Sequence, residues 1–165
     1  MLHRTLLRLA ILPMLVACLG AGPTSRDRIA QDKDKFQRET DPVHKAKDFE
    51  RLGDEQISEF GRSADANEVE AALSVLTDYQ KEAHETYNAL KASGANAERK
   101  PEGYRQLQIH LRRSLWKIDR TLAIIPDERR MEVRAIRDDL AALEARLIHE
   151  LFPTASDLTQ KNAKG

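Results

Sequence analysis

An all-α fold is expected from this chain, an antiparallel bundle of three to four helices hung on a flexible N-terminal tether, and three features lead there. Charged residues make up 33% of the sequence and aromatic residues only 5%, a balance that suits amphipathic helices and starves strands. Apolar residues recur at three- and four-residue intervals through most of the chain beyond position 42. The prolines at 42, 101, 126 and 153 fall at the edges of these periodic stretches, where a helix starts or stops. With 165 residues there is room for one domain.

The first element is a targeting segment. Arg4 and Arg8 supply a basic start without any acid, and Leu9 to Ala17 is an uncharged run. That run is too short to span a bilayer, which takes ~20 residues, and it fits the apolar core of a signal peptide over 1–17. It ends in Leu15-Val16-Ala17-Cys18. These four residues resemble a bacterial lipobox, and Cys18 is the only cysteine of the chain. The resemblance implies cleavage after Ala17 and diacylglycerol on the Cys18 thiol, so that the protein is held to a membrane by its acyl chains. Leu19 lacks the aspartate that resembles an inner-membrane retention signal, which points to an outer membrane, facing the periplasm, in a two-membrane cell. The alternative is ordinary cleavage after Ala21 and a soluble secreted or periplasmic protein. One cysteine also rules out an intramolecular disulfide or a multi-cysteine zinc site.

Residues 18–41 are read as the lipidated tether. Ile29 and Phe36 are the only large apolar residues after Leu19, too few to bury much surface, and full extension gives a reach of roughly 75 Å. Asp41-Pro42 then offers a cap and a first turn for a helical body over 42–152. Val43, Ala46, Phe49, Leu52, Ile57 and Phe60 follow helical spacing, as do Val69, Ala72, Leu73, Leu76, Ala83, Tyr87 and Leu90. On one straight helix the two stripes would lie roughly 150° apart. A break is therefore expected within 61–66, with Asp65 and Glu68 forming a new cap, although one bent helix would also serve. Ser93-Gly94 closes this stretch. Tyr104, Leu107, Leu111, Leu115, Ile118, Leu122 and Ile125 line the next helix, which Pro126 stops; the short turn folds the following helix back antiparallel. There Val133, Ile136, Leu140, Leu143, Leu147 and Leu151 form a heptad seam suited to a bundle or a short coiled coil. Residues 153–165 are polar and read as a disordered tail.

Charge narrows the partners. Without Arg4 and Arg8, the 27 bases become 25 against 27 acids, and such a body has no general pull toward nucleic acid. Eight acids between Asp48 and Glu70 face two arginines, whereas seven bases between Arg99 and Arg120 face two acids. Neighbouring helices could match these segments, or both could be solvated faces. A third reading places the basic helix against anionic headgroups or cell-wall polymer.

Ile109 and Trp116 lie opposite the apolar face of their helix, with Arg112, Arg113 and Arg120 beside them. Either this helix is central and packs on both sides, or these five residues form an exposed aromatic-arginine patch for a partner, another envelope protein. A homo-oligomer is compatible with either. Metal and cofactor chemistry is not expected: His44, His84, His110 and His149 are scattered, and no phosphate loop, nucleophile elbow or His-Glu-x-x-His pattern marks an enzyme. Leu76-Thr77-Asp78-Tyr79-Gln80 resembles the Leu-Thr-x-x-Gln signature of periplasmic stress- and metal-sensing helical proteins, some of them chaperones. That resemblance implies an alternative role as a soluble periplasmic chaperone or sensor. The leading expectation is a membrane-anchored envelope lipoprotein acting as a helical interaction or structural module.

Overall fold

The computed structural model describes residues 24–153. The expected signal peptide, Cys18 and most of the C-terminal tail lie outside them. The described residues hold five helices and no strand: α1 (Ser25–Arg38), α2 (Pro42–Asp65), α3 (Val69–Ala92), α4 (Glu102–Leu122) and α5 (Asp127–Leu151). None is long and apolar enough to cross a membrane.

The additional helix comes from the stretch expected to be a slack tether. α1 opens with a capping box in which the Thr24 hydroxyl accepts from the Asp27 amide and the Asp27 carboxylate accepts from the Thr24 amide. Its one fully buried residue is Phe36, packed 6.1 Å from the Phe49 ring, with Lys45 Nζ 4.2 Å from the Phe36 ring centre. Partly buried Ile29 packs against the same core, and ion pairs such as Lys33–Asp78 and Lys35–Asp48 flank the contact.

α2 and α3 are separate helices. The break lies at Ala66-Asn67-Glu68, and Asp65 ends α2 instead of capping α3. Asn67 takes a positive φ of 60°, its amide donates to Ala64 O (3.0 Å), and the Glu68 amide donates to Ser63 O (2.8 Å). This is the Schellman arrangement, with asparagine in the left-handed position that most side chains avoid. Gly94, at φ 68°, has the same conformation after α3.

Consecutive helices run antiparallel, yet the lateral packing is not a simple antiparallel ring. α2 packs on α1, α3 and α4, while α5 packs on α3 and α4. Bonds from Glu50 to Arg113 and from Lys47 to Glu102 run in register along α2 and α4, so those neighbours are parallel. Gln80–Asp139 and Tyr87–Glu150 show the same for α3 and α5. Two helical hairpins thus stand side by side, and α1 lies across the first. The core holds all the expected stripe residues of α5 except Ile136, which is partly buried. The segmental charges are matched only in part. Arg113 and Lys117 of α4 reach acids of α2, while Asp48 and Glu59 pair with Lys35 and Arg26 of α1.

Candidate functional site

α4 buries Tyr104, Leu107, His110, Leu111, Ser114 and Ile118, and so turns the opposite face outward. Trp116 is 61% exposed and Ile109 45%, so the central-helix reading of these two residues does not hold. They stand on one stripe, Arg105–Ile109–Arg112–Trp116–Arg120, at helical spacing down the outer face. Arg120 lies over the Trp116 ring, 4.8 Å from its centre. Among the described residues, Arg105, Arg112 and Arg120 pair with no carboxylate. Arg113 departs from the expected patch: its guanidinium turns to Glu50, 2.7 Å away, and bridges α4 to α2.

The stripe runs between two grooves. One, of ≈ 440 Å³, is bordered by Ile57, Gly61, Trp116, Arg120 and Ile124. The other, of ≈ 970 Å³, is bordered by Val43, Leu90, Tyr104, Arg105 and Ile109. Half-exposed Ile124 extends the apolar surface past Trp116. An aromatic ring with an arginine stacked on it, unpaired bases and flanking hollows is a surface able to seat a partner's side chains.

Sequence spacing did not reveal a second assembly, a polar thread inside the core. Gln56, Glu82, Thr86, His110 and Ser114 are buried together with Tyr79. Gln56 donates to Glu82 Oε2 (2.7 Å), and Lys33 lies 3.1 Å from Oε1 as an ion pair without hydrogen-bond geometry. Burial raises the Glu82 carboxyl above the usual range, against the pull of Gln56 and Lys33. Tyr79, wholly buried with no partner for its hydroxyl, is likewise raised by burial.

The His110 ring sits edge-on to Phe49 at 5.2 Å and tilted to Tyr79 at 5.8 Å. Gly53 makes room for it: a Cβ there would come within 2.4 Å of His110 Nε2 and 2.8 Å of Tyr79 Cε2. Burial pushes the His110 pKa down to about 4, with Asp54 pulling the other way, so the ring is neutral at pH 7. Nε2 lies 3.5 Å from Ser114 Oγ; Nδ1 has no hydrogen-bond partner and lies 3.9 Å from Asp54 Oδ1. Glu50 completes the group, and one ligand atom from each of Glu50, Asp54 and His110 lies within 4.8 Å of the others. The Gln106 amide holds the Glu50 carboxyl below the usual range against burial, with help from Arg113. A histidine judged isolated along the chain thus meets two carboxylates in space, because α2 presents Glu50 and Asp54 one turn apart toward α4. His44 and His149 are exposed, and His84 bonds Asp139 at 2.6 Å.

No family model, curated protein or solved structure matches the chain. The three fixed letters of the Leu-Thr-x-x-Gln resemblance have local tasks within α3. Leu76 is core, Thr77 donates to Leu73 O (2.8 Å), and Gln80 donates to Asp139 (2.7 Å).

Proposed function

We propose that this chain is a lipid-anchored module of a bacterial cell envelope that holds an acidic protein partner on the outer stripe of α4. The observation that carries the partner surface is Trp116: a large apolar side chain, 61% exposed, with an arginine stacked on it and unpaired arginines one and three turns away. Removing such a ring from water against a partner is worth a few kcal/mol, and ring-arginine pairs are enriched where binding energy concentrates. Unpaired guanidiniums favour a partner that supplies carboxylates.

Support for the anchor is the lipobox resemblance at Leu15–Cys18. Because α1 begins at Ser25, the chain from Cys18 to that helix can span at most roughly 25 Å. An acylated Cys18 would therefore keep the bundle close to the bilayer, where a partner of the same membrane is within reach.

Labelled palmitate should enter the chain in cells and be lost in Cys18→Ser. A photo-crosslinking side chain placed at position 116 should capture a protein, whereas the same group at the exposed position 142 of α5 should not. Charge reversal by Arg112→Glu with Arg120→Glu should abolish the capture while leaving helix content unchanged. Equal capture at both positions, or adducts with lipid alone, would remove the protein-partner reading.

A further inference from the structure

We propose that Glu50, Asp54 and His110 form a binding site for one divalent transition-metal ion of the zinc class. Two carboxylates on adjacent turns of α2 and one imidazole on α4 are the mixed oxygen and nitrogen set that such ions take, with water in a fourth position. Acids on a helix surface would not carry this by themselves. The decisive feature is His110, 1% exposed, whose Nδ1 points at the carboxylates without a hydrogen-bond partner. Buried ring nitrogens are nearly always satisfied, so one that is bare and faces two negative groups marks a position suited to a cation.

The surroundings hold that aim. Phe49 meets the ring edge-on and Tyr79 lies tilted against it, Gly53 admits the ring, and Ser114 Oγ lies 3.5 Å from Nε2. A hydroxyl beside the other ring nitrogen is the kind of neighbour that fixes which nitrogen keeps its lone pair. The ligand atoms, now within 4.8 Å, would close to about 3.4 Å around a tetrahedral ion with bonds of ~2.0–2.1 Å. Glu50 and Asp54 can make that movement, since their side chains are 34% and 47% exposed.

Arg113 and Lys117 are the built-in competitors. Arg113 lies 2.7 Å from Glu50 and Lys117 3.6 Å from Asp54, and both cations would swing into water as the ion enters. Each is about half exposed and free to leave. Their competition makes the site one of modest affinity, strengthened when either base is removed.

The test is zinc titration of the untagged chain carrying Cys18→Ser, which removes the thiol as a rival ligand. Calorimetry should give one ion per chain and thermal unfolding should shift upward with zinc. Asp54→Asn and Glu50→Gln, both at partly exposed positions that keep the fold, should each weaken binding at least ten-fold. Arg113→Met should tighten it several-fold. The cobalt form should show the intense visible absorption of a tetrahedral ion, lost in Asp54→Asn. No binding, or binding of equal strength in all three variants, overturns the site. Neither result bears on capture at position 116, so this inference and the partner surface fail separately.

Discussion

One of the tightest points of this core is a residue with no side chain, Gly53. A methyl at position 53 would have to displace two buried rings, and overpacking of that kind costs ~1–3 kcal/mol, more than the ~1 kcal/mol that alanine gains in a helix. Gly53→Ala should therefore lower unfolding stability by up to about 2 kcal/mol in urea titration. Gly61→Ala, whose nearest neighbour is Thr121 Oγ1 at 4.0 Å, should raise it by roughly 0.5–1 kcal/mol. The same substitution on one helix thus changes sign with what stands opposite. His110 gives a second expectation, for the metal-free chain in chelator. Its folded pKa of about 4 lies below the unfolded ~6.5, so between those values the unfolded chain binds more protons. Stability fully present above pH 6.5 should drain as pH falls toward 4, by at most ~3 kcal/mol. Glu82, raised by burial, acts in the opposite sense, because acidification relieves its buried charge. The His110 contribution is therefore read as the difference between the parent and His110→Phe. Parallel stability curves for the two over that window would exclude it.

Among the helices, α1 and α4 carry the departures from simple amphipathic patterning. α1 contributes a single fully buried residue, yet that residue meets both Phe49 and the Lys45 ammonium. Phe36→Ala should cost about 3–5 kcal/mol by loss of burial and the cavity left behind. A slack tether would show no change, so thermal unfolding of this one variant separates the two pictures. α4 has a buried polar and apolar face and an outer face on which apolar residues stand among arginines. Its pattern therefore reads the same whether the helix is central or lateral, and only its neighbours resolve it. α5 is the opposite case: its 3-4-3-4 spacing matches the buried seam, because nothing but α3 and α4 covers it.

For the molecule as a unit, the two side-by-side hairpins share one core, and α1 is a layer laid over the first of them. Its attachment is Phe36 together with ion pairs such as Lys35–Asp48 and Lys33–Asp78, and partly exposed pairs of this kind contribute only ~0–1 kcal/mol each. α1 should therefore open before the bundle does. In hydrogen exchange read by mass spectrometry, its amides should exchange with a lower opening free energy than those of α2 to α5. Exchange of all five helices as one cooperative unit would contradict the layered arrangement. With the anchor proposed at Cys18, this order would place the weakest layer nearest the attachment point.

Periodicity alone was enough for the helical class, the stripes of α2 to α5 and the turns at Gly94 and Pro126, since each depends on contacts within a few residues along one chain segment. The docking of α1, the capture of Arg113 by Glu50 and the meeting of Glu50, Asp54 and His110 were not legible there. These depend on which helix becomes whose neighbour, and spacing within a helix carries no term for that. Parallel pairing of α2 with α4 is the deciding step. It sets a carboxylate pair from one helix against an imidazole from another, some 60 positions along the chain, where packing and not sequence proximity fixes the distance.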